Sequence, residues 1–170
     1  MAYSPESPRR SAGIPRTQHS MPIEFINADL EITSDEGLEP IRIAFAQAGS
    51  RFSEMYCGET VPGSYFASFE VHPDEERDDQ TAEVKILAFC DSVSELRGLA
   101  RDVRDRATRR VIDLGYQSGN HCEAFNDRVS IDALRRLEKL GIELALTIYP
   151  QEIQSQSTGR LETASPSPAT

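Results

Sequence analysis

Five cysteine and histidine side chains could support nucleophilic or metal chemistry: Cys57, His72, Cys90, His121 and Cys122. Only His121 and Cys122 are adjacent, and a nucleophilic cysteine needs a base within reach of its sulfur. Adjacent side chains on a strand point to opposite faces, so this pair would not meet in an extended segment. Zinc sites draw about four ligands from closely spaced Cys and His pairs, and the chain has no Cys-x-x-Cys unit. We therefore expect no metal and no cofactor.

Acidic side chains are the stronger candidates for binding. One loop contains Asp74, Glu75, Glu76, Asp78 and Asp79, without the Asp-x-Asp-x-Asp-Gly pattern of a calcium loop. Asn27 and Asp29 alternate with apolar residues and would lie on the polar face of the first predicted strand. These seven residues form the predicted partner-binding set. The simpler alternative is a solvated turn and a solvated sheet face.

The charge of the chain indicates what kind of partner would bind it. The 170 residues carry a net charge of -10, and residues 24–83 hold fifteen acidic residues against three arginines. Nucleic acid is not an expected partner, because binding phosphates requires clustered Lys and Arg. An acidic surface would instead attract a basic protein. Alternatively, the net charge serves only to keep the protein in solution.

The elements that position these residues follow from hydrophobic periodicity. The longest periodic stretch is 91–114, which predicts a single long helix with a Ser92–Glu95 capping box. Its predicted buried stripe comprises Val93, Leu96, Ala100, Val103, Ala107, Val111 and Leu114.

Shorter patterns predict the remaining elements. Alternation predicts strands at 22–33, 64–72, 82–90 and 142–149, with a weaker strand at 51–57. The strands at 64–72 and 82–90 would form a hairpin with the acidic loop at its tip. Helices are predicted at 38–48 and 130–141. Together these elements predict an α+β fold with two layers, a mostly antiparallel sheet with two to three helices packed on one face.

The pattern also predicts the domain organisation. Residues 21–150 would form a single α+β domain, with disordered tails at 1–20 and 151–170 because both are rich in Ser, Pro and other polar residues. No apolar run approaches the ~20 residues that span a bilayer, so we expect no membrane partner. Three cysteines without a close pair fit a reducing compartment, which predicts a cytoplasmic location.

The end of the chain resembles a known bacterial group. The run from Val129 through Leu140-Gly141-Ile142 to Thr147-Ile148-Tyr149 is similar to the ending of the bacterial domain-of-unknown-function group 4279. The resemblance implies a small cytoplasmic bacterial α+β domain, and some relatives in the group are thought to act as immunity proteins beside toxins. It supplies no catalytic residues.

Together, these features predict a small acidic binding module, an immunity-type protein that neutralises a basic toxin. One alternative is a small enzyme using Cys122 or a strand carboxylate such as Asp29. The other is a structural or self-associating protein that uses a sheet edge.

Overall fold

The structure, a computed structural model, describes residues 21–49, 51–72, 81–120 and 124–150. These residues form five strands and four helices: β1 (Glu24–Ser34), α1 (Glu39–Gln47), β2 (Phe52–Val61), β3 (Ser64–Val71), α2 (Ala82–Glu95), α3 (Gly98–Arg106), β4 (Arg109–Gln117), α4 (Ile131–Leu140) and β5 (Glu143–Tyr149). Strand and helix are present in similar amounts, and the predicted α+β class is confirmed.

The five strands form one sheet in the order β2-β3-β1-β4-β5. All neighbouring strands are antiparallel except β4 and β5, which are parallel and connected through α4. Alternate residues of the strands join the helices in one core, and we call this side of the sheet the core face. It contains Ala28, Leu30, Ile32, Ala67, Phe69, Val71, Ile112, Leu114 and Tyr116, all at most 3 % exposed. The opposite side is the open face.

A change of phase near the start of β1 lets both of its apolar sets reach the core. Ile23 and Phe25 are out of phase with Ala28 and Leu30, which indicates a bulge. The pairing of β1 with β4 shifts register between Phe25 and Asn27. Phe25 therefore packs against the core, and Ile26 is left 47 % exposed.

The predicted long helix at 91–114 is wrong, although its predicted buried stripe is buried. The chain leaves α2 at Leu96, and Gly98, the first residue of α3, adopts a positive φ of 52°. After α3 the chain becomes β4, where Ile112, Leu114 and Tyr116 alternate into the core. The seven stripe residues are each at most 7 % exposed. The periodicity therefore identified the buried residues correctly, although the chain forms α2, α3 and β4 here and not one helix.

The strand predicted at 82–90 is the first part of α2, so the hairpin predicted around the acidic loop is also wrong. Ile86, Phe89, Cys90 and Val93 are buried at helical spacing. In an extended segment, Leu87 and Phe89 would lie on the side opposite Ile86. Apolar residues on both sides of a predicted strand are also compatible with a helix, which is the element observed. The observed hairpin joins β2 to β3, and Gly63, with a φ of 79°, lies in its turn.

The helices predicted at 38–48 and 130–141 are confirmed as α1 and α4. The side chain of Ser130 accepts a hydrogen bond from the amide of Ala133 at 3.2 Å and caps α4. Gly141 ends α4 in the left-handed conformation, with a φ of 63°.

The last strand is confirmed, but its predicted inward row is only partly correct. Ile142 is buried and Leu144 is half-buried, whereas Leu146 and Ile148 are each 64 % exposed. Both point to the core side, because they pair in register with Leu114 and Tyr116 of β4. They are exposed because β5 is the outermost strand and the helix layer does not extend over its far end.

No helix in the described parts of the chain combines the length and the apolar character that a membrane crossing requires.

Arg110 ties together three elements at one end of the core. Its guanidinium donates to the carbonyl oxygens of Arg104 at 2.7 Å and Ala107 at 3.2 Å, at the end of α3, where carbonyl groups lack the partners of a full helical turn. It also donates to the carbonyl oxygen of Gly141 at 3.0 Å, in the turn between α4 and β5. Arg110 therefore fixes β4, α3 and the α4–β5 turn relative to one another.

Replacing Arg110 with Met should lower the free energy of unfolding by about 1–3 kcal/mol, because three carbonyl groups lose a charged donor. The matched control is Arg109→Met. Arg109 pairs at 3.0 Å with Glu143 and is exposed, and such pairs contribute about 0–1 kcal/mol. Urea unfolding of the two variants measures the difference, and equal losses would contradict the bridging role of Arg110.

Candidate binding site on the open face of the sheet

Four carboxylates gather on the open face where β3, β1 and β4 lie side by side. Asp29 on β1 pairs directly with Glu70 on β3 and with Asp113 on β4. Glu31 lies two residues further along β1 and therefore points to the same side. All four residues are half-buried. We call Asp29, Glu31, Glu70 and Asp113 the carboxylate cluster.

Each of the two central carboxylates has one oxygen with a donor and one without. Oδ2 of Asp29 accepts from the side-chain amide of Asn27 at 3.1 Å, and Oδ2 of Asp113 accepts from the hydroxyl of Thr147 at 2.7 Å. Oδ1 of Asp29 and Oδ1 of Asp113 are buried and have no hydrogen-bond partner. The two residues are directly opposite each other. A proton on Asp29 would therefore supply a hydrogen-bond donor for these Oδ1 atoms, which have none.

The cluster changes the acidity of its central member. The pKa of Asp29 is raised to about 6, chiefly by burial and then by the negative charges of Glu70, Glu31 and Asp113, in that order. Lys85 opposes the shift. Part of the Asp29 population is therefore protonated near neutral pH, although an aspartate usually ionises well below it.

Glu31 is affected in the same direction. Burial is the main cause of its raised pKa, and the charge of Asp113 adds to it. Arg109, on the same side of the sheet, opposes the shift. In the cluster, burial and mutual repulsion therefore raise the free energy of the ionised carboxylates.

Lys85 reaches the cluster from the helix layer. The pairing of β1 with β3 ends at Asp29 and Glu70, so the two strands are not hydrogen-bonded to each other beyond these residues. The Lys85 side chain is 7 % exposed, and its Nζ lies 3.6 Å from Oε1 of Glu70 and 5.9 Å from the ring centre of Phe25. Its ammonium compensates part of the charge at one end of the cluster.

Gly115 makes room for the side chain that holds Asp29. It lies opposite Asn27, and a Cβ at this position would be 2.2 Å from Asn27 Oδ1 and 3.3 Å from the ring of Tyr149. A residue larger than glycine would displace the Asn27 amide. Glycine at this position therefore leaves space between β4 and the Asn27 side chain of β1.

The structure locates part of the predicted partner-binding set. Asn27 and Asp29 lie on the open face and belong to the site. The acidic loop residues Asp74, Glu75, Glu76, Asp78 and Asp79 lie outside the described residues, as do His121 and Cys122.

Sequence reasoning missed Glu31, Glu70 and Asp113 as site residues. Glu31 and Glu70 occupy polar positions in strands that were predicted correctly, so the alternation of these strands was an available signal. Asp113 was assigned to a helix, which hid its position between the inward residues Ile112 and Leu114.

The described cysteines and histidine do not form a reactive group. Cys90 is buried, and burial raises the pKa of its thiol to about 11, which keeps it protonated. Burial also raises the pKa of Cys57. The His72 ring lies 2.8 Å from the hydroxyl of Ser53. Within the described ranges, no three His, Cys, Asp or Glu side chains are arranged to hold a metal ion.

Surface grooves lie elsewhere on the molecule. Grooves of about 320, 340 and 590 Å³ are lined by residues of α1, α2, α4 and the segment before α4. The first is bordered by Cys90, Asp91 and Arg136. None of these three grooves includes Asp29.

No family model, curated protein or solved structure matches this chain. The carboxylate cluster is therefore the main observation from which a function can be proposed.

Replacing Asp29 with Asn should raise the free energy of unfolding at pH 7 by about 1–2 kcal/mol, allowing for solvent screening at a half-buried site. The folded carboxyl holds its proton up to about pH 6, whereas the unfolded one loses it near 3.8. The contribution of Asp29 to stability is therefore lost as pH rises from about 4 to 6, and the variant lacks this loss. Urea unfolding at several pH values measures this difference.

The control for this variant is Asp35→Asn, at an exposed position outside the cluster. It removes the same charge and should change stability by less than about 0.5 kcal/mol. A gain from Asp29→Asn that is equally large at about pH 4 would show that repulsion within the cluster is not its cause.

Proposed function

We propose that this protein is a non-enzymatic binding module whose carboxylate cluster receives cationic side chains of a basic partner protein. The observation that carries the proposal is the concentration of four half-buried carboxylates on three adjacent strands, where Lys85 is in contact with only one of them, Glu70. Groups held at an electrostatic cost are characteristic of functional sites.

A partner cation would lower the energy of the whole cluster. A guanidinium above the strands would interact favourably with all four carboxylates and can form paired hydrogen bonds with one of them. It would also favour the ionised form of Asp29, so binding would release a proton near neutral pH. Asn27, on the same side of β1, would supply a neutral hydrogen-bonding group.

We further propose that the basic partner is a toxin and that the protein acts as an immunity-type inhibitor in the cytoplasm of a bacterium. The similarity of 129–149 to group 4279 supports this finer proposal, and so does the acidic excess between residues 24 and 83. The thiols of Cys57 and Cys90 are free, which is compatible with a reducing compartment.

The raised pKa of Asp29 is also the observation that favours a second function, an enzyme with Asp29 as general acid or base. Its immediate surroundings fit binding better. The groups around Asp29 are carboxylates, the Asn27 amide and Lys85, and the three grooves described above do not include it. The cysteine form of the enzyme hypothesis rests on Cys122, which lies outside the described residues.

An oligoarginine peptide tests the cationic site directly. We expect amide chemical-shift changes of the isotope-labelled protein to concentrate around Asp29, Glu31 and Asp113. The double variant Glu31→Gln/Glu70→Gln should weaken the peptide about tenfold at low salt and reduce the salt dependence, because two charges are lost. Binding should also weaken below about pH 6, where Asp29 gains a proton.

The matched control is Asp102→Asn/Asp132→Asn, which removes two exposed charges from the helices. It should weaken the peptide less than about twofold, because long-range attraction between exposed charges is screened. Equal effects of the two double variants would mean that the peptide senses only net charge. The proposal of a specific cationic site would then be wrong.

The toxin proposal has a separate test in the native host. A toxin gene adjacent to the gene for this protein should be tolerated when the wild-type protein is co-expressed, and growth should fail with Glu31→Gln/Glu70→Gln. Protection that persists with this variant would place the inhibitory surface elsewhere.

A further inference from the structure

The outer strand β5 presents an uncovered apolar row. Leu146 and Ile148 point to the core side of the sheet and are each 64 % exposed, while Leu144 beside them is half-buried. Exposed apolar residues on the core side of a strand are unusual, because that side of a strand is normally covered by other elements or carries polar residues.

Helix α4 extends this row. Arg136 points towards α2, where its guanidinium lies 2.6 Å from Asp91. Leu134 is two residues away, about 160° around the helix, and so lies on the side turned away from α2. It is 44 % exposed, and Ile131 on the same side is 65 % exposed. Because β5 is the outermost strand, this helix side borders the apolar row. We call Ile131, Leu134, Leu146 and Ile148 the β5 edge surface.

The two edges of the sheet are built differently. On β2 the pairing shifts register at Glu54/Tyr56 and again at Glu59/Val61, and such irregularities discourage edge pairing. The pairing of β5 is regular over all seven residues, and Glu143 at its start is its only charged residue. No described strand occupies its outer side.

We propose that the β5 edge surface binds a second copy of this chain, with the two β5 strands antiparallel about a twofold axis at Leu146. In this register Leu146 faces its own counterpart and Leu144 faces Ile148, so the core side of the contact is apolar. Ala145 faces Thr147 and Glu143 faces Tyr149 on the open side. No like charges are opposed, and all seven residues of the strand are paired.

The charge distribution favours a second copy at this surface. The chain carries a net charge of -10, so two copies repel each other over most of their surface. Residues 124–150, which include α4 and β5, hold four acidic and four basic residues. This neutral segment is where two acidic molecules can approach closely. The two α4 helices would then lie on either side of the axis, with Leu134 and Ile131 covering the apolar row.

The dimer would contain a continuous sheet of ten strands. A twofold axis perpendicular to the sheet keeps both open faces on the same side. The two carboxylate clusters would therefore be presented together. A partner with two basic regions could engage both, which would strengthen binding without any new contact.

Light scattering coupled to gel filtration tests the assembly on the full chain. We expect twice the chain mass of 18.9 kDa at protein concentrations of about 100 µM. Leu146→Lys places two ammonium groups opposite each other at the axis and should raise the dissociation constant at least about tenfold. The residue is exposed, so circular dichroism should be unchanged, and so should thermal unfolding at concentrations low enough for both proteins to be monomeric.

The matched control is Met55→Lys, at a residue that is 61 % exposed on the opposite edge strand β2. It should remain dimeric. A wild-type monomer at about 100 µM overturns the proposal, and so does a dimer whose dissociation constant is left unchanged by Leu146→Lys or is raised equally by Met55→Lys.

A cysteine at the axis tests the register. Directly opposed residues of antiparallel strands have Cα atoms about 4.5–5.5 Å apart, within disulfide range. Leu146→Cys should therefore give a covalent dimer under mild oxidation, beyond any background of the wild-type protein. Met55→Cys should not. A dimer that Leu146→Cys fails to cross-link would place the contact elsewhere and overturn the proposed register.

The dimer and the cationic site can fail independently. The apolar dimer should persist in high salt, whereas peptide binding to the carboxylate cluster should not. Glu31→Gln/Glu70→Gln should leave the mass unchanged. Leu146→Lys should leave the affinity per site for the oligoarginine peptide unchanged.

Discussion

The register of β1 is the constraint on which the rest of the structure depends. This strand is central, with an antiparallel neighbour on each side, and its alternation places Ala28, Leu30 and Ile32 in the core. The same alternation places Asp29 and Glu31 on the open face. A shift of one residue would exchange the two rows, burying carboxylates and exposing the apolar residues. The core and the candidate site are therefore two sides of one pairing.

The sequence predicted most of what a local pattern can show. The alternation of 22–33, the helices around 38–48 and 130–141 and the burial of the 91–114 stripe are all observed. The errors came where helical and extended spacing are both compatible with the same apolar residues. Val103 and Val111 keep a helical interval, yet the chain between them leaves α3 and enters β4. Gly98 was the available signal, since a glycine inside a periodic run often marks an interruption.

The candidate site could be predicted only in part, because it is assembled from three strands. Asn27 and Asp29 were accessible from the alternation of one strand. Their association with Glu70 and Asp113 depends on the strand order β3-β1-β4, which no local pattern contains. For the same reason the exposure of Leu146 could not be foreseen, because it depends on how far the helix layer extends over the sheet.

The distance along the chain between Asp29 and Asp113 has a consequence for folding. The β2–β3 hairpin and the β4–α4–β5 unit each close over short segments, whereas pairing of β1 with β4 joins distant parts of the chain. Contacts of large sequence separation tend to limit the folding rate, since ordering them costs more chain entropy. The mutually repelling carboxylates thus meet only when β1 and β4 come together. Their repulsion would then slow the late closure of the sheet while leaving the early local units unaffected.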